Sequence, residues 1–191
     1  MSHAVPRLLA AALAAPLLLL TPAPASGAEL AGVSMAEEAE VDGQSLVLNG
    51  MGLRERFFVD VYVAGLYLPS PESSGEAVLA ADAPRRLEVA FVRDVTRQQV
   101  CDAWSDGLEA NRPDAPAELE TSFETLCSWM EDLSDGDRMV FTYVPGEGTT
   151  IEVAGEEKGV LEGKEFADAL FASFIGEHPA TGKLKQGLLG G

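Results

Sequence analysis

The sequence predicts an α+β domain in which an antiparallel β-sheet is covered by helices. Extended segments rich in β-branched and aromatic residues, amphipathic segments with helical spacing, and Gly, Pro and Asn turn signals between them support this fold class. The length of 191 residues, without internal repeats or a clear linker, indicates a single domain.

The charge balance limits the class of partner. The chain has 31 Asp and Glu residues against 13 Lys and Arg, a formal net charge of −18. Nucleic-acid affinity depends on Lys and Arg that neutralise phosphates, so we expect no nucleic-acid partner. Hydrophobic residues make up 47% of the chain, which is too many for an acidic disordered segment.

The N-terminus has the pattern of a secretory signal peptide. Arg7 precedes a run from Leu8 to Leu20 that contains only Leu, Ala and Pro, and small residues follow up to Ala28. The pattern predicts a leader over residues 1–28, with the cut after Ala28. A retained N-terminal anchor helix is the alternative, although the run is short for a bilayer span and is interrupted by proline. After cleavage we expect an exported protein without stable membrane insertion.

Two extended segments follow. Gln44–Leu48 predicts a short strand that ends at a turn, Asn49–Gly50. Arg54–Leu68 predicts one long strand, which Pro69 closes. One face of that strand is apolar, and the other places polar groups, including Arg54 and Tyr62, among apolar ones. Such a face is typical of a sheet that lines a cleft, and also of a partly solvated sheet.

The middle of the chain predicts helices with one strand among them. In chain order we expect a short helix (Ser73–Ala81), a strand (Arg86–Val92), a helix capped by Thr96 and Gln99 that stops before Pro113, and a second helix (Ala117–Leu133).

The two cysteines lie on the inward edges of the two longer helices. In an oxidising compartment Cys101 and Cys127 are expected to form a disulfide, with two buried free thiols as the alternative. Their spacing fits no CxxC motif, and His178 is the only histidine after the leader. We therefore expect neither a metal site nor a cofactor.

The C-terminal part predicts strands and a last helix. The strands cover Met139–Val144, Thr149–Val153 and a short stretch near Lys158–Val160, and the helix covers Gly163–Ile175. Residues 182–191 are small and Gly-rich, so we expect a loose tail after a domain that covers residues 29–181.

Three blocks of sequence resemble the chalcone isomerase-like family. They are Leu48–Arg54 continuing into Val59–Leu68, then Arg93–Thr96, then Leu161–Lys164 through Phe174–His178. The blocks occur in the family's order and span most of the chain after the leader. The resemblance implies an open-faced β-sandwich, an antiparallel sheet packed against a layer of helices with a ligand cleft between them. Together with the leader-like N-terminus, it suggests a bacterial, exported member, for which we expect a periplasmic location.

The resemblance also suggests ligand-binding residues. Arg54 matches the arginine of the isomerase cleft, Tyr62 matches the tyrosine of the fatty-acid-binding members, and Ser173 falls at the last-helix position. Val100 and Gly107 stand where the isomerases have a helix Tyr and Asn. Because Val and Gly have no side-chain donor, the catalytic network that steadies a phenolate is missing.

These matches predict a non-catalytic binding protein for a fatty acid or a similar small amphipathic carboxylate. The alternatives are an isomerase or lyase with an unknown substrate and an envelope protein-interaction module, so enzymatic activity stays open. Arg54 and Tyr62 would lie about 26 Å apart in one continuous strand. Sharing one ligand therefore requires a turn or bulge near Arg54–Arg56.

Overall fold

A computed structural model describes Met1 and residues 27–191 of the chain. The predicted leader lies outside the described residues except for Met1, Gly27 and Ala28. Residues 27–191 form nine strands and five helices: β1 (Gly27–Leu30), β2 (Val33–Ala36), β3 (Glu38–Val41), β4 (Gln44–Arg56), β5 (Val59–Leu68), α1 (Gly75–Ala80), β6 (Arg85–Phe91), α2 (Arg97–Asn111), α3 (Ala117–Ser128), β7 (Arg138–Val144), β8 (Gly148–Val153), β9 (Glu156–Leu161), α4 (Lys164–Ile175) and α5 (Gly182–Leu188).

The α+β prediction is confirmed. Strands β3 to β9 form one antiparallel sheet in sequential order, and β1 pairs with β2 in a separate hairpin. Side chains of β5, β6 and β7 form the main core together with the helices, and Leu66, Leu87 and Phe141 are fully buried there. The β1–β2 hairpin packs on the other side of the strands, where Met35 contacts Val63 in a smaller cluster.

The start of α2 agrees with the sequence prediction, whereas the end of α3 does not. Thr96 and Gln99 form the predicted capping box at the start of α2. Helix α3 ends at Ser128, five residues before the predicted end at Leu133. Leu133 instead exchanges two backbone hydrogen bonds with Val95. The Leu133 side chain is buried although it lies outside the helix. Its apolar character therefore did not indicate where the helix stops.

The predicted long strand over Arg54–Leu68 is wrong, because the chain reverses within it. Strand β4 passes through Asn49–Gly50 with a bulge instead of turning there, and the reversal occurs at Phe57 and Phe58. The amide of Asn49 donates to the carbonyls of Glu72 and Leu188, so this residue joins distant segments and does not form a turn.

The prediction of a loose C-terminal tail is also wrong. Residues Gly182–Leu188 form α5, whose Leu184 and Leu188 side chains are fully buried. The helix lies directly on β4, because Gly50 and Gly52 have no side chains to hold it away from the sheet. Glycine is used here for a close approach between backbones.

The close packing of α5 on β4 predicts that Gly52→Ala lowers stability strongly. A methyl group at Gly52 would overlap the carbonyl oxygen and side chain of Leu184. We expect this overpacking to lower the free energy of unfolding by about 2 kcal/mol, measured by urea denaturation. Gly182→Ala is the matched control, because no atom lies within 4 Å of the added methyl group and we expect little change. Equal stability of the two variants would contradict the packing of α5 on β4.

The predicted disulfide is present. Cys101 on α2 and Cys127 on α3 are bonded, with their Cα atoms 5.3 Å apart. The bond links two helices whose connection contains Pro113 and Pro116.

Candidate functional site

The structure brings Arg54 and Tyr62 together. They are direct partners across the β4–β5 hairpin, so their side chains share one face of the sheet. The register shifts between Arg54 and Glu55, immediately before the turn. The irregularity that a shared ligand requires is therefore present where it was expected, and the turn directly follows Arg56.

The phenol of Tyr62 lies on the helix side of the sheet. Its ring centroid is 5.8 Å from that of Phe91 and 6.3 Å from that of Phe174 on α4. Burial raises the pKa of Tyr62 to about 12, while the positive charge of the neighbouring Arg54 acts in the opposite direction. The hydroxyl is therefore protonated at neutral pH and able to donate a hydrogen bond.

The guanidinium of Arg54 is half-buried and only partly satisfied by the protein. One terminal nitrogen donates to the Glu55 carbonyl oxygen, at 2.9 Å. A guanidinium has five N–H donors in a planar fork, so donors remain for a carboxylate. Arg54 and Tyr62 together provide a positive charge and a hydroxyl donor at one position on the helix-facing side.

Trp104 on α2 carries a further unpaired donor. It is 5% exposed, and its indole Nε1 has no hydrogen-bond partner among the described residues. Its ring centre lies 5.9 Å from that of Phe174, which also contacts Tyr62, so the centres of the Trp104 and Tyr62 rings are at most about 12 Å apart. Buried indole N–H groups usually have a partner. A tryptophan on the inward stripe of α2 was the available sequence signal.

Ser173 lies elsewhere in the helix layer. Its hydroxyl donates back to the Ala169 carbonyl at 3.4 Å, within α4. Its side chain faces α2, where a methyl group at Gly107 would overlap the Ser173 hydroxyl. Gly107 therefore allows α2 and α4 to pack closely, which gives a structural reason for a residue without a donor at this position.

Aromatic side chains fill the region between the sheet and the helices. Trp104, Phe141 and Phe174 are all at least nine-tenths buried and are in mutual contact through Trp104. Two surface pockets, of about 470 and 370 Å³, lie outside this region. One adjoins the β1–β2 turn and the other the disulfide, and neither is lined by Arg54 or Tyr62.

The described residues show neither a cluster of metal ligands nor a helix suited to span a membrane. Within residues 27–191, no three His, Cys, Asp or Glu side chains are grouped so that they could hold a metal ion. Over the same residues, none of the helices has the length and apolar character to cross a membrane.

The family model for chalcone isomerase-like proteins matches residues 27–190. The chain belongs to the chalcone isomerase-like family. This match includes α5, so the family's domain extends past residue 181, where we expected it to end. No curated protein matches the sequence.

A fatty-acid binding protein of Arabidopsis thaliana is one of the solved structures that resemble this chalcone isomerase-like chain. The TM-score is 0.68 at 17% sequence identity, and the alignment covers 86% of this chain and 96% of the plant chain. At this identity the likeness establishes the fold. It agrees with the sheet and helix layer that the sequence resemblance implied.

Proposed function

We propose that this chalcone isomerase-like protein binds a fatty acid or a similar small amphipathic carboxylate without catalysing a reaction. The observation that carries the proposal is the pairing of Arg54 with Tyr62 across the β4–β5 hairpin. A planar guanidinium and a hydroxyl side by side suit the two oxygens of a carboxylate. The structurally similar Arabidopsis thaliana protein is a fatty-acid binding protein, which supports the proposal.

The acyl chain would lie among the aromatic side chains between the sheet and the helices. These rings fill the space, so Tyr62 and Phe174 must separate when the chain enters. The free N–H of Trp104 would then face the ligand and find a polar partner, such as a hydroxyl or ester oxygen. We leave Ser173 out of the ligand contacts, because its hydroxyl bonds to Ala169 and faces Gly107.

A binding role without catalysis is supported by helix α2. Val100 is buried and Gly107 packs against α4, so neither position supplies a donor. Asn111 is the one Asn of the helix, and its amide is engaged by the carbonyls of Gly107 and His178. Steadying a phenolate as it attacks an enone requires positioned donors. Turnover of enones by the purified protein would contradict the proposal.

Substitution of Arg54 tests the carboxylate site. We expect Arg54→Gln to weaken the binding of a fluorescent fatty acid about 10- to 100-fold, because a charge-assisted hydrogen bond is lost. Tyr62→Phe keeps the ring against Phe91 and loses only the hydroxyl, and we expect a decrease of about fivefold. Both affinities are measured by fluorescence titration below the micelle concentration of the probe.

Arg93→Gln is the matched control for charge. Arg93 is exposed just after β6, so its substitution removes the same charge from the same acidic protein without changing the site. We expect its affinity to equal that of the wild type. Wild-type affinity in Arg54→Gln, or a wild-type protein that binds no fatty acid, would refute the proposed function.

We also propose that the protein is exported to a bacterial periplasm. The leader-like N-terminus and the disulfide support an oxidising compartment. A cut after Ala28 would remove half of β1, whereas a cut after Ala25, which ends the small-residue motif Ala23–Pro24–Ala25, would leave β1 whole. Mass spectrometry of the secreted protein distinguishes the two, and a retained leader would contradict export by cleavage.

A further inference from the structure

The tip of the β4–β5 hairpin has an unusual surface. Among residues 27–191, four large apolar side chains are exposed, and three of them are consecutive at this tip. Phe57 is 83% exposed, Phe58 is fully exposed and Val59 is 43% exposed. The fourth, Val160, stands alone on the edge strand β9. Single exposed apolar residues are ordinary, but two adjacent phenylalanine rings directed into solvent are not.

The backbone of the tip is strained. Phe57 and Phe58 have φ values of 50° and 66°, the left-handed conformation that both central residues of a two-residue type I′ turn require. Asn and Gly adopt this conformation readily, whereas bulky residues do so at a cost. The turn therefore holds two large rings where the fold alone would favour Asn–Gly, which points to a function for the rings.

The charge around the tip differs from that of the rest of the chain. The Arg56 guanidinium lies 5.6 Å from the centre of the Phe57 ring. Lys183 on α5 pairs with Glu55 beside the turn. Arg56 and Lys183 balance the two acidic side chains of the tip, Glu55 and Asp60, so the tip is close to neutral. The whole chain has a net charge of −18.

We propose that this hairpin tip docks the protein on the surface of a phospholipid bilayer. The Phe57 and Phe58 rings enter the boundary between headgroups and acyl chains, and Arg56 and Lys183 face the phosphates. Aromatic and apolar side chains flanked by basic ones are the composition that binds membrane interfaces. Docking at a surface requires no membrane-spanning helix.

The size of the tip favours a bilayer over a protein partner. Two phenylalanine rings and a valine can bury on the order of 400 Å², which is about half of what one partner contributes to a stable protein interface. A convex tip with two protruding rings also needs a deep pocket in a protein partner, whereas a bilayer accepts it at any point. The proposal depends on the tip alone and not on the fatty-acid site.

Vesicle flotation with a turn-preserving variant tests the proposal. Phe57→Asn/Phe58→Gly replaces both rings with the residues that a type I′ turn prefers, so the hairpin is retained and its stability is expected to rise. We expect the wild type to float with vesicles of phosphatidylcholine containing phosphatidylglycerol. The double variant should show a partition coefficient at least tenfold lower, with unchanged affinity for a soluble fatty acid.

Val160→Ser is the matched control, because it removes an exposed apolar side chain far from the hairpin along the chain, and we expect unchanged partitioning. Circular dichroism and the urea midpoint confirm that each variant is folded. Equal vesicle binding by the wild type and the double variant, or no binding by either, would overturn the proposal. So would a wild-type dimer in light scattering that the double variant converts to a monomer, because the tip would then bind a second copy.

Discussion

Arg85→Met is expected to lower the free energy of unfolding by about 3 kcal/mol, because it removes a buried cation that several groups surround. The Arg85 side chain is 1% exposed and forms an ion pair with Asp168 on α4. It also donates to the Val78 carbonyl at 3.0 Å. Its guanidinium lies between the rings of Tyr143 and Phe171, 4.9 and 4.7 Å from their centres.

The substitution leaves several groups without this partner. Methionine fills much of the volume, but the Val78 carbonyl loses its side-chain donor and Asp168 keeps only its pair with Lys164, at 2.7 Å. Removing one member of a buried pair costs more than the pair itself contributes, since the remaining group stays desolvated. The loss is measured by urea denaturation at neutral pH, with two-state behaviour checked by two spectroscopic probes.

Arg86→Met is the control for this prediction. Arg86 is the next residue of β6, so its side chain points to the other face, where it is 24% exposed and lies 3.8–3.9 Å from Glu88 and Glu152. Partly exposed pairs of this kind contribute little, and we expect a loss of about 1 kcal/mol or less. If Arg85→Met and Arg86→Met lower the free energy of unfolding equally, the burial of Arg85 is not the cause of its effect on stability.

Removing the Cys101–Cys127 disulfide is the second prediction with a large effect. The bond closes a segment with a sequence separation of 26, which restricts the unfolded chain. For a loop of this length the restriction contributes about 3.5 kcal/mol. We expect the double variant Cys101→Ala/Cys127→Ala to unfold at a correspondingly lower urea concentration, with its fold otherwise retained.

A reductant provides the control for the disulfide. Dithiothreitol should lower the urea midpoint of the wild type towards that of the double variant and leave the double variant unchanged. If dithiothreitol also lowered the urea midpoint of the double variant, the reductant would act on stability by a route other than this disulfide. An unchanged midpoint in both reduced wild type and double variant would contradict a stabilising disulfide.

Local signals predicted several elements well. The Thr96 capping box and the helices that became α2 and α4 depend on residues three or four positions apart, and each was found as expected. The cysteines could be paired because they lie on the inward edges of two successive helices. These features depend on neighbours in sequence, which is the range over which hydrophobic periodicity is informative.

The two main corrections concern contacts between distant segments. Phe57–Phe58 contains no Gly, Asn or Pro and has high β-propensity, so nothing local marks the reversal there. Cross-strand pairing of β4 with β5 fixes the turn instead. Residues 182–191 looked loose because they are small and Gly-rich. They are ordered by Gly50 and Gly52, at least 130 positions earlier, which have no side chains and let α5 pack closely on β4.

The candidate site also depends partly on features that the sequence indicated and partly on contacts between distant segments. Resemblance to the family pointed to Arg54 and Tyr62, but their separation along one strand would have kept them apart. The hairpin register places them side by side. Conversely, Ser173 matched its position in the last helix, and the tertiary structure turns its hydroxyl towards Ala169 and Gly107. The unpaired N–H of the buried Trp104 became visible only once its neighbours in the fold were known.

The sequence by itself determined the α+β class, the acidic character that disfavours nucleic acid, the principal helices and the candidate cysteine pair. These depend on composition and on spacing within a few residues. Only the tertiary structure decided where the chain reverses at Phe57–Phe58, that α5 is part of the domain, and that Arg54 meets Tyr62. Each of these outcomes depends on strand register or on helix packing over the sheet, and such contacts join residues whose separation along the chain leaves no local pattern.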